Sequence, residues 1–142
     1  KKDASLPSKI FIGRKKTGKR VLLNEDEVVS ALEKKNFKTI YLEDLSVNKQ
    51  ITLFYNALQI VGVHGAGLTN LLFSQVGCFV VELFPVNYVN QCYWTIASYN
   101  ELSYAYLLGE GVDITDEKNH LIDSDFCISV RKLLKLLETI EI

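Results

Sequence analysis

A three-layer α/β sandwich with a mainly parallel five-stranded sheet is the fold this sequence predicts, and three observations predict it. Short runs rich in β-branched and aromatic residues alternate with segments whose apolar residues recur at helical spacing, the rhythm of βαβ units. The first run, Ile10-Phe11-Ile12, is continuous rather than alternating, as suits a strand covered on both faces. After the third run, the small-residue turn Gly65-Ala66-Gly67 opens onto Leu68, Leu71 and Leu72, the pattern of strand, tight turn and helix. With 142 residues and 48% hydrophobic content, the chain is long enough for one domain with a substantial core, and a single domain over residues 1–142 is expected.

In chain order, residues 9–13 form the first strand. The run Arg14-Lys15-Lys16-Thr17-Gly18-Lys19-Arg20 follows, five of its seven residues basic, so the rest of a chain of net charge −1 carries −6. Such runs are commonly solvated turns, but this one leaves a central strand, which also suits a binding loop. Asn24 and Glu27 have capping-box spacing, and Val28, Val29 and Leu32 give a first helix its inner face. Residues 37–42 alternate as a half-buried second strand. Ser46 is placed to cap a second helix with Ile51, Phe54, Tyr55 and Leu58 on one core-facing stripe. Residues 60–63 and 79–84 supply the third and fourth strands, the latter with an internal Glu82 and stopped by Pro85. Val89, Cys92, Tyr93 and Ile96 outline a helix, residues 103–108 a fifth strand, and residues 113–124 a polar loop. A closing helix from about Asp125 shows Phe126, Val130, Leu133, Leu134 and Leu137 on one side.

Composition narrows the function. A net charge of −1 and a pI near 6.2 argue against nucleic-acid binding by bulk electrostatics. No apolar run is long enough to span a membrane. The chain begins with Lys1, so a piece of a longer protein is expected, with any targeting segment or companion domain outside it. Cys78, Cys92 and Cys127 stand far apart among apolar neighbours and read as buried thiols, since zinc sites want paired ligands at short spacing and disulfide scaffolds an even, denser set. No metal is expected. The absence of any Asn-x-Ser/Thr acceptor favours a reducing setting.

The preferred strand order is 2-1-3-4-5, and in such sheets ligands bind beyond the carboxyl ends of the strands where the winding reverses. Here that point lies between the first and third strands, whose exits carry the basic run and the turn at His64. The first N–H groups of a helix lack internal partners and sit at its positive end. Amides of residues 67–69 with the Arg14 guanidinium would therefore suit a phosphate, although the glycines also serve simply to ease a tight connection. Thr69 and Asn70 add short donors. Glu82 reads either as an acceptor for ribose or sugar hydroxyls or as a carboxylate at the sheet's rim. His64 has three readings: a donor to phosphate, a base, or a satisfied core histidine.

Other templates fit less well. Asn70 stands where a dinucleotide fingerprint wants its third glycine, no Walker Gly-Lys-Ser/Thr occurs, and Arg and Lys replace the carboxylates a receiver domain needs. Asp123-Ser124-Asp125 matches the Asp-x-Asp pattern of metal-dependent sugar transferases but precedes an apolar helix, so it reads as a cap. A hydrolase using His64 with Glu82 lacks a placed nucleophile.

The ordered set Ile10-Phe11-Ile12-Gly13-Arg14, Arg20, Asn24-Glu25, Gln50-Ile51, His64-Gly65-Ala66-Gly67-Leu68-Thr69-Asn70-Leu71-Leu72-Phe73 and Val81-Glu82-Leu83 resembles the conserved half of glycosyltransferase family 61. That family includes plant xylosyltransferases, protein O-linked N-acetylglucosaminyltransferases of the secretory pathway and bacterial capsular polysaccharide biosynthesis proteins. The resemblance covers residues 9–108. It implies the Rossmann-like, carboxyl-terminal half of a two-domain GT-B enzyme, binding a nucleotide-sugar donor, often a uridine diphosphate sugar, without a bound metal or other cofactor. Arg14 would then face the diphosphate, and Gly65, Ala66, Gly67, Leu68, Thr69 and Asn70 would cradle it. A glycan or protein acceptor, and the base for an inverting transfer, would belong to an amino-terminal domain outside this chain, leaving these residues alone inactive; His64 is the one catalytic candidate here. The alternative is a non-catalytic nucleotide- or phosphate-binding module of the same fold. A bacterial member would be cytoplasmic, the preferred setting, and a eukaryotic one would lie in the ER or Golgi lumen. Two positions depart from the family's habit: Gly13 where serine is common, which touches the phosphate side, and Lys49 where an acidic residue is common.

Overall fold

The computed structural model describes residues 3–14, 20–111 and 125–139. Its centre is a five-stranded parallel sheet in the order β2-β1-β3-β4-β5, formed by β1 (Lys9–Ile12), β2 (Lys38–Ile40), β3 (Gln59–Val63), β4 (Phe79–Phe84) and β5 (Ser103–Leu108). Helices α1 (Glu25–Glu33), α2 (Val47–Asn56), α3 (Cys92–Tyr99) and α4 (Val130–Glu138) surround it, with a 3-10 helix over Ala66–Phe73 after β3. The expected strand order and three layers are both present.

Alternate residues of each strand point to opposite faces, and the two faces make two cores. On one, Ile10, Ile12, Ile60 and Val80 meet Phe54 of α2, Leu68 and Leu71 of the 3-10 helix, and Tyr93 and Ala97 of α3. On the other, Phe11, Val61, Val63, Val81 and Leu83 meet Val28 and Leu32 of α1 and Leu133 and Leu137 of α4. The register sets Gly62 beside both Ile12 and Glu82, and Glu82 beside Tyr106. The lack of a side chain at Gly62 lets Leu68 fold back onto β3, where a Cβ would stand 3.0 Å from Leu68 Cδ2.

Several local expectations are corrected. The segment after β3 is a 3-10 helix, because Leu68 and Leu71 are buried three residues apart while Leu72 is exposed. Helix α2 buries Leu53, Phe54 and Asn56 rather than a stripe through Tyr55 and Leu58, both exposed. It ends early because the Asn56 side chain ties back to the start of the chain, accepting from Asp3 N–H at 2.9 Å and donating to the Leu6 carbonyl at 3.2 Å. Ser46 occupies the N-cap without a side-chain cap bond. The closing helix starts at Val130, not Asp125; Phe126–Cys127 instead forms β7, antiparallel to β6 at Glu110–Gly111. Ser129 caps that helix, accepting from Lys132 N–H at 3.4 Å, while Asp125 accepts from Val21 N–H at 2.9 Å. Val89 is exposed, and α3 buries Tyr93 and Ala97. Of the three free cysteines, only Cys78 is fully buried and Cys92 is exposed. Lys15, Lys16, Thr17, Gly18 and Lys19 of the basic run, the polar loop at 113–124 and Asp123-Ser124 lie outside the described residues.

Candidate functional site

The winding of the sheet reverses between β1 and β3, so the segments leaving those strands meet. Arg14 and the 65–67 turn do so: a Cβ on Gly65 would stand 3.6 Å from Arg14 Nη1. Between them lies a cleft of about 190 Å³ lined by Gly13, Arg14, Leu42, Glu43, Gly65 and Gly67, among others. Gly67 is packed from below, since a Cβ there would come within 2.7 Å of Leu42 Cδ1.

The cleft carries charges of both signs, Arg14 and Glu43. Arg14 Nη1 is buried without a hydrogen-bond partner among the described residues, and so is Arg20 Nε. Burial first and the Arg20 charge second push the Arg14 guanidinium below its usual range, with Glu43 and Glu25 working in the opposite direction. Arg20 adopts a positive φ of 59°, and its guanidinium lies over the Tyr88 ring, 5.5 Å from the centroid. Two guanidinium groups that feel each other's charge, each with an unspent buried donor, have the chemistry that suits an anion. Sequence reasoning does not single out Arg20 as a site residue; its place in the basic run and in the set that resembles the family are its only signals.

Backbone amides add to the site, shifted from their expected place. Leu68 N–H already donates to the Gly65 carbonyl at 2.9 Å and the 3-10 pattern takes up those that follow. The amides left over are those of Ala66 and Gly67, not those of residues 67–69. Leu68 itself is core. Asn70 is turned inward: its Nδ2 donates to Gln50 Oε1 at 3.0 Å and to the Gly67 carbonyl at 3.1 Å, while Gln50 Nε2 donates to the Leu42 and Leu45 carbonyls. It braces the turn. Thr69 is exposed, and burial pushes the phenol of Tyr93 up.

His64 and Glu82 stand deeper than expected. His64 is buried and its Nδ1 hydrogen-bonds Glu82 Oε1. Glu82 is not a rim group: it is fully buried, and its second oxygen accepts from Tyr104 O–H at 2.5 Å. Both of its oxygens are thus occupied, and it reaches a ligand only through His64. The parity of β4 explains the burial, because Glu82 shares the face of Val80, under α3. Three rings enclose the imidazole, Phe84 stacked at 4.9 Å and Tyr88 and Tyr93 each at 5.2 Å. Phe84 also lines a larger hollow of about 570 Å³ with Trp94, Tyr104 and Tyr106. That hollow carries no charged side chain, so charge assigns an anion to the smaller cleft. Among the described residues no group of three or more His, Cys, Asp or Glu could hold a metal ion, and no helix is long and apolar enough to cross a membrane.

Fold and site together define a parallel α/β domain with a cleft at its switch point lined by Arg14 and the 65–67 turn. The family model for glycosyltransferase 61 matches residues 2–81, more than half of the chain, and the chain belongs to that family. The match contains Arg14, Arg20 and the whole 64–70 turn and stops one residue short of Glu82. Over 73 residues the chain is 41% identical to protein O-linked-mannose beta-1,4-N-acetylglucosaminyltransferase 2 of Canis lupus familiaris, a stretch covering 49% of this chain and 13% of that protein. It is 33% identical over 93 residues to the EGF domain-specific O-linked N-acetylglucosamine transferase of Drosophila melanogaster, covering 63% and 18%. Against the Gallus gallus protein of the same name it is 30% identical over 101 residues, covering 68% and 19%. The chain thus spans less than a fifth of the length of these curated relatives.

Proposed function

We propose that the chain is the donor-binding domain of an inverting glycosyltransferase in glycan synthesis, and that it holds the diphosphate of a uridine diphosphate sugar in the cleft between Arg14 and the 65–67 turn. One observation carries this: Arg14 and Arg20, whose charges act on each other, each keep a buried nitrogen without a hydrogen-bond partner among the described residues, donors that a diphosphate would take up. The two arginines and the Ala66 and Gly67 amides would offset charge on the departing diphosphate, the electrostatic part of glycosyl transfer. Family membership supports the transferase class, and the relatives' names make N-acetylglucosamine the first sugar to try. The described residues supply the leaving-group side of the reaction. Acceptor binding and deprotonation of its hydroxyl are assigned to a domain outside these 142 residues, so the chain alone binds donor and turns over little or none.

Calorimetric titration with uridine diphosphate and with uridine tests the reading. The diphosphate is expected to bind at least about tenfold more tightly, the scale of one charge-assisted bond. Equal affinities would contradict a site organised around phosphate.

A further inference from the structure

The sheet buries a hydrogen-bonded chain of three polar side chains beneath the cleft: His64 at the end of β3, Glu82 within β4 and Tyr104 within β5. The buried cluster on this face of the sheet is apolar, and a carboxylate in such surroundings is costly to desolvate. An aliphatic residue would pack there without that cost. We propose that Glu82 and Tyr104 are positioning residues that fix the hydrogen of His64 on Nδ1, which leaves Nε2 as the ring atom that meets the diphosphate. The second half of this statement rests on the nucleotide reading above; the first does not.

The geometry carries it in three steps. The imidazole plane is already held, since Phe84 stacks on it and Tyr88 and Tyr93 abut it, while the backbone N–H of His64 anchors the residue to the Leu83 carbonyl at 2.9 Å. What those contacts leave open is which nitrogen bears the hydrogen. Tyr104 donates its hydroxyl hydrogen to Glu82 Oε2 at 2.5 Å, which leaves Oε1 as the oxygen that meets His64 Nδ1, and an accepting Oε1 requires Nδ1 to donate. Nε2 makes no hydrogen bond among the described residues. The groups around this ring are Glu82 from β4, Tyr104 from β5 behind it, Tyr88 after β4, Tyr93 from α3, and Arg20 over Tyr88. Glu82 is the one acidic group hydrogen-bonded to it among the described residues.

Long-range proton–nitrogen spectra of the 15N-labelled chain read this directly, because only two histidines are present and His120→Gln assigns them. The expected ligand-free spectrum shows Nδ1 of His64 protonated, and uridine diphosphate then perturbs Nε2 while leaving Nδ1 in place. In Glu82→Gln the amide offers both a donor and an acceptor, so Nδ1 loses its obligatory hydrogen and diphosphate affinity falls roughly tenfold, the scale of one bond to a charged group. Tyr104→Phe removes the donor that holds Glu82, so the Nδ1 hydrogen becomes partly shared with Nε2, a smaller change in the same spectrum, and affinity falls about threefold; it serves as the second variant should Glu82→Gln fail to fold. A merely structural role would lower the melting temperature and leave the nitrogen spectrum alone. An unprotonated Nδ1 in the unsubstituted chain overturns the proposal, as does a folded Glu82→Gln with unchanged spectrum and affinity. If uridine diphosphate does not bind at all, the nucleotide reading fails and the ligand-free spectrum still decides the tautomer.

Discussion

Gly65 and Arg14 face each other across two adjacent parallel strands, and Arg14 Nη1 is the nearest atom to where a Gly65 side chain would begin, at 3.6 Å. That spacing is ordinary contact, and the Gly65 backbone is extended, with φ 169°. The glycine therefore keeps space open in front of the guanidinium without relieving any strain of its own. Gly65→Ala is expected to melt within a degree or so of the unsubstituted chain, and Gly65→Leu to fill the cleft and abolish diphosphate binding while the fold persists. Thermal melts paired with calorimetry check this.

Gly67 behaves oppositely. A Cβ there meets buried Leu42 at 2.7 Å, so Gly67→Ala should destabilise by about 1–2 kcal/mol through overpacking. Urea denaturation measures it.

Gly13, where the family commonly has serine, is filled from the side. A Cβ would lie 2.8 Å from Tyr41 Cε1 and 3.1 Å from Glu25 Oε1, and the Tyr41 hydroxyl donates to that same oxygen at 3.2 Å. The tyrosine ring thus takes the place that a serine side chain would use at this position. Gly13→Ser is expected to destabilise alone and to be substantially less harmful on a Tyr41→Ala background, with a coupling of about 1 kcal/mol in a double-mutant cycle.

The capping-box spacing of Asn24 predicts a cap for α1; in the structure no cap bond forms, and its amide clamps the backbone of Ile128, donating to the carbonyl at 2.8 Å and accepting from N–H at 2.9 Å. Asn24→Ala strands two backbone groups beside α4 and should cost about 1–3 kcal/mol, with amide hydrogen exchange accelerating first in α4.

Burial raises the phenols of Tyr41, Tyr93 and Tyr104 above their ordinary value. A raised folded-state value means the neutral form is the one the fold favours, so the stability it contributes is complete below the unfolded value of about 10. It is lost as the pH climbs beyond that, when the unfolded chain releases protons the folded chain retains. The melting temperature should accordingly fall above about pH 10, and less steeply in Tyr104→Phe.

These residues also mark what a sequence can disclose. Alternating strand and helix patterns fix the topology, and topology alone brings Arg14 and Gly65 together, because the strand order decides which exits are neighbours. The burial of Glu82 was not legible, since the run from Phe79 to Phe84 is apolar on both sides of it and gives no cue to which face is deeper. Asn24 bonds a residue 104 positions away, beyond any local window. Arg20 becomes a site residue only because its guanidinium lies over Tyr88. The 3-10 helix follows from the packing of Leu68 and Leu71, which three- and four-residue spacings do not distinguish when leucines occupy both.

The central claim is that Arg14 is held, against its own electrostatic interest, for a diphosphate. Titrating uridine diphosphate into the unsubstituted chain and into Arg14→Ala, with a melt of each, tests it most directly. The account predicts affinity weakened at least about tenfold together with a melting temperature little changed, because removing Arg14 relieves its burial and its repulsion with Arg20 while losing its attraction to Glu43 and Glu25. Equal affinity in the two chains would contradict it.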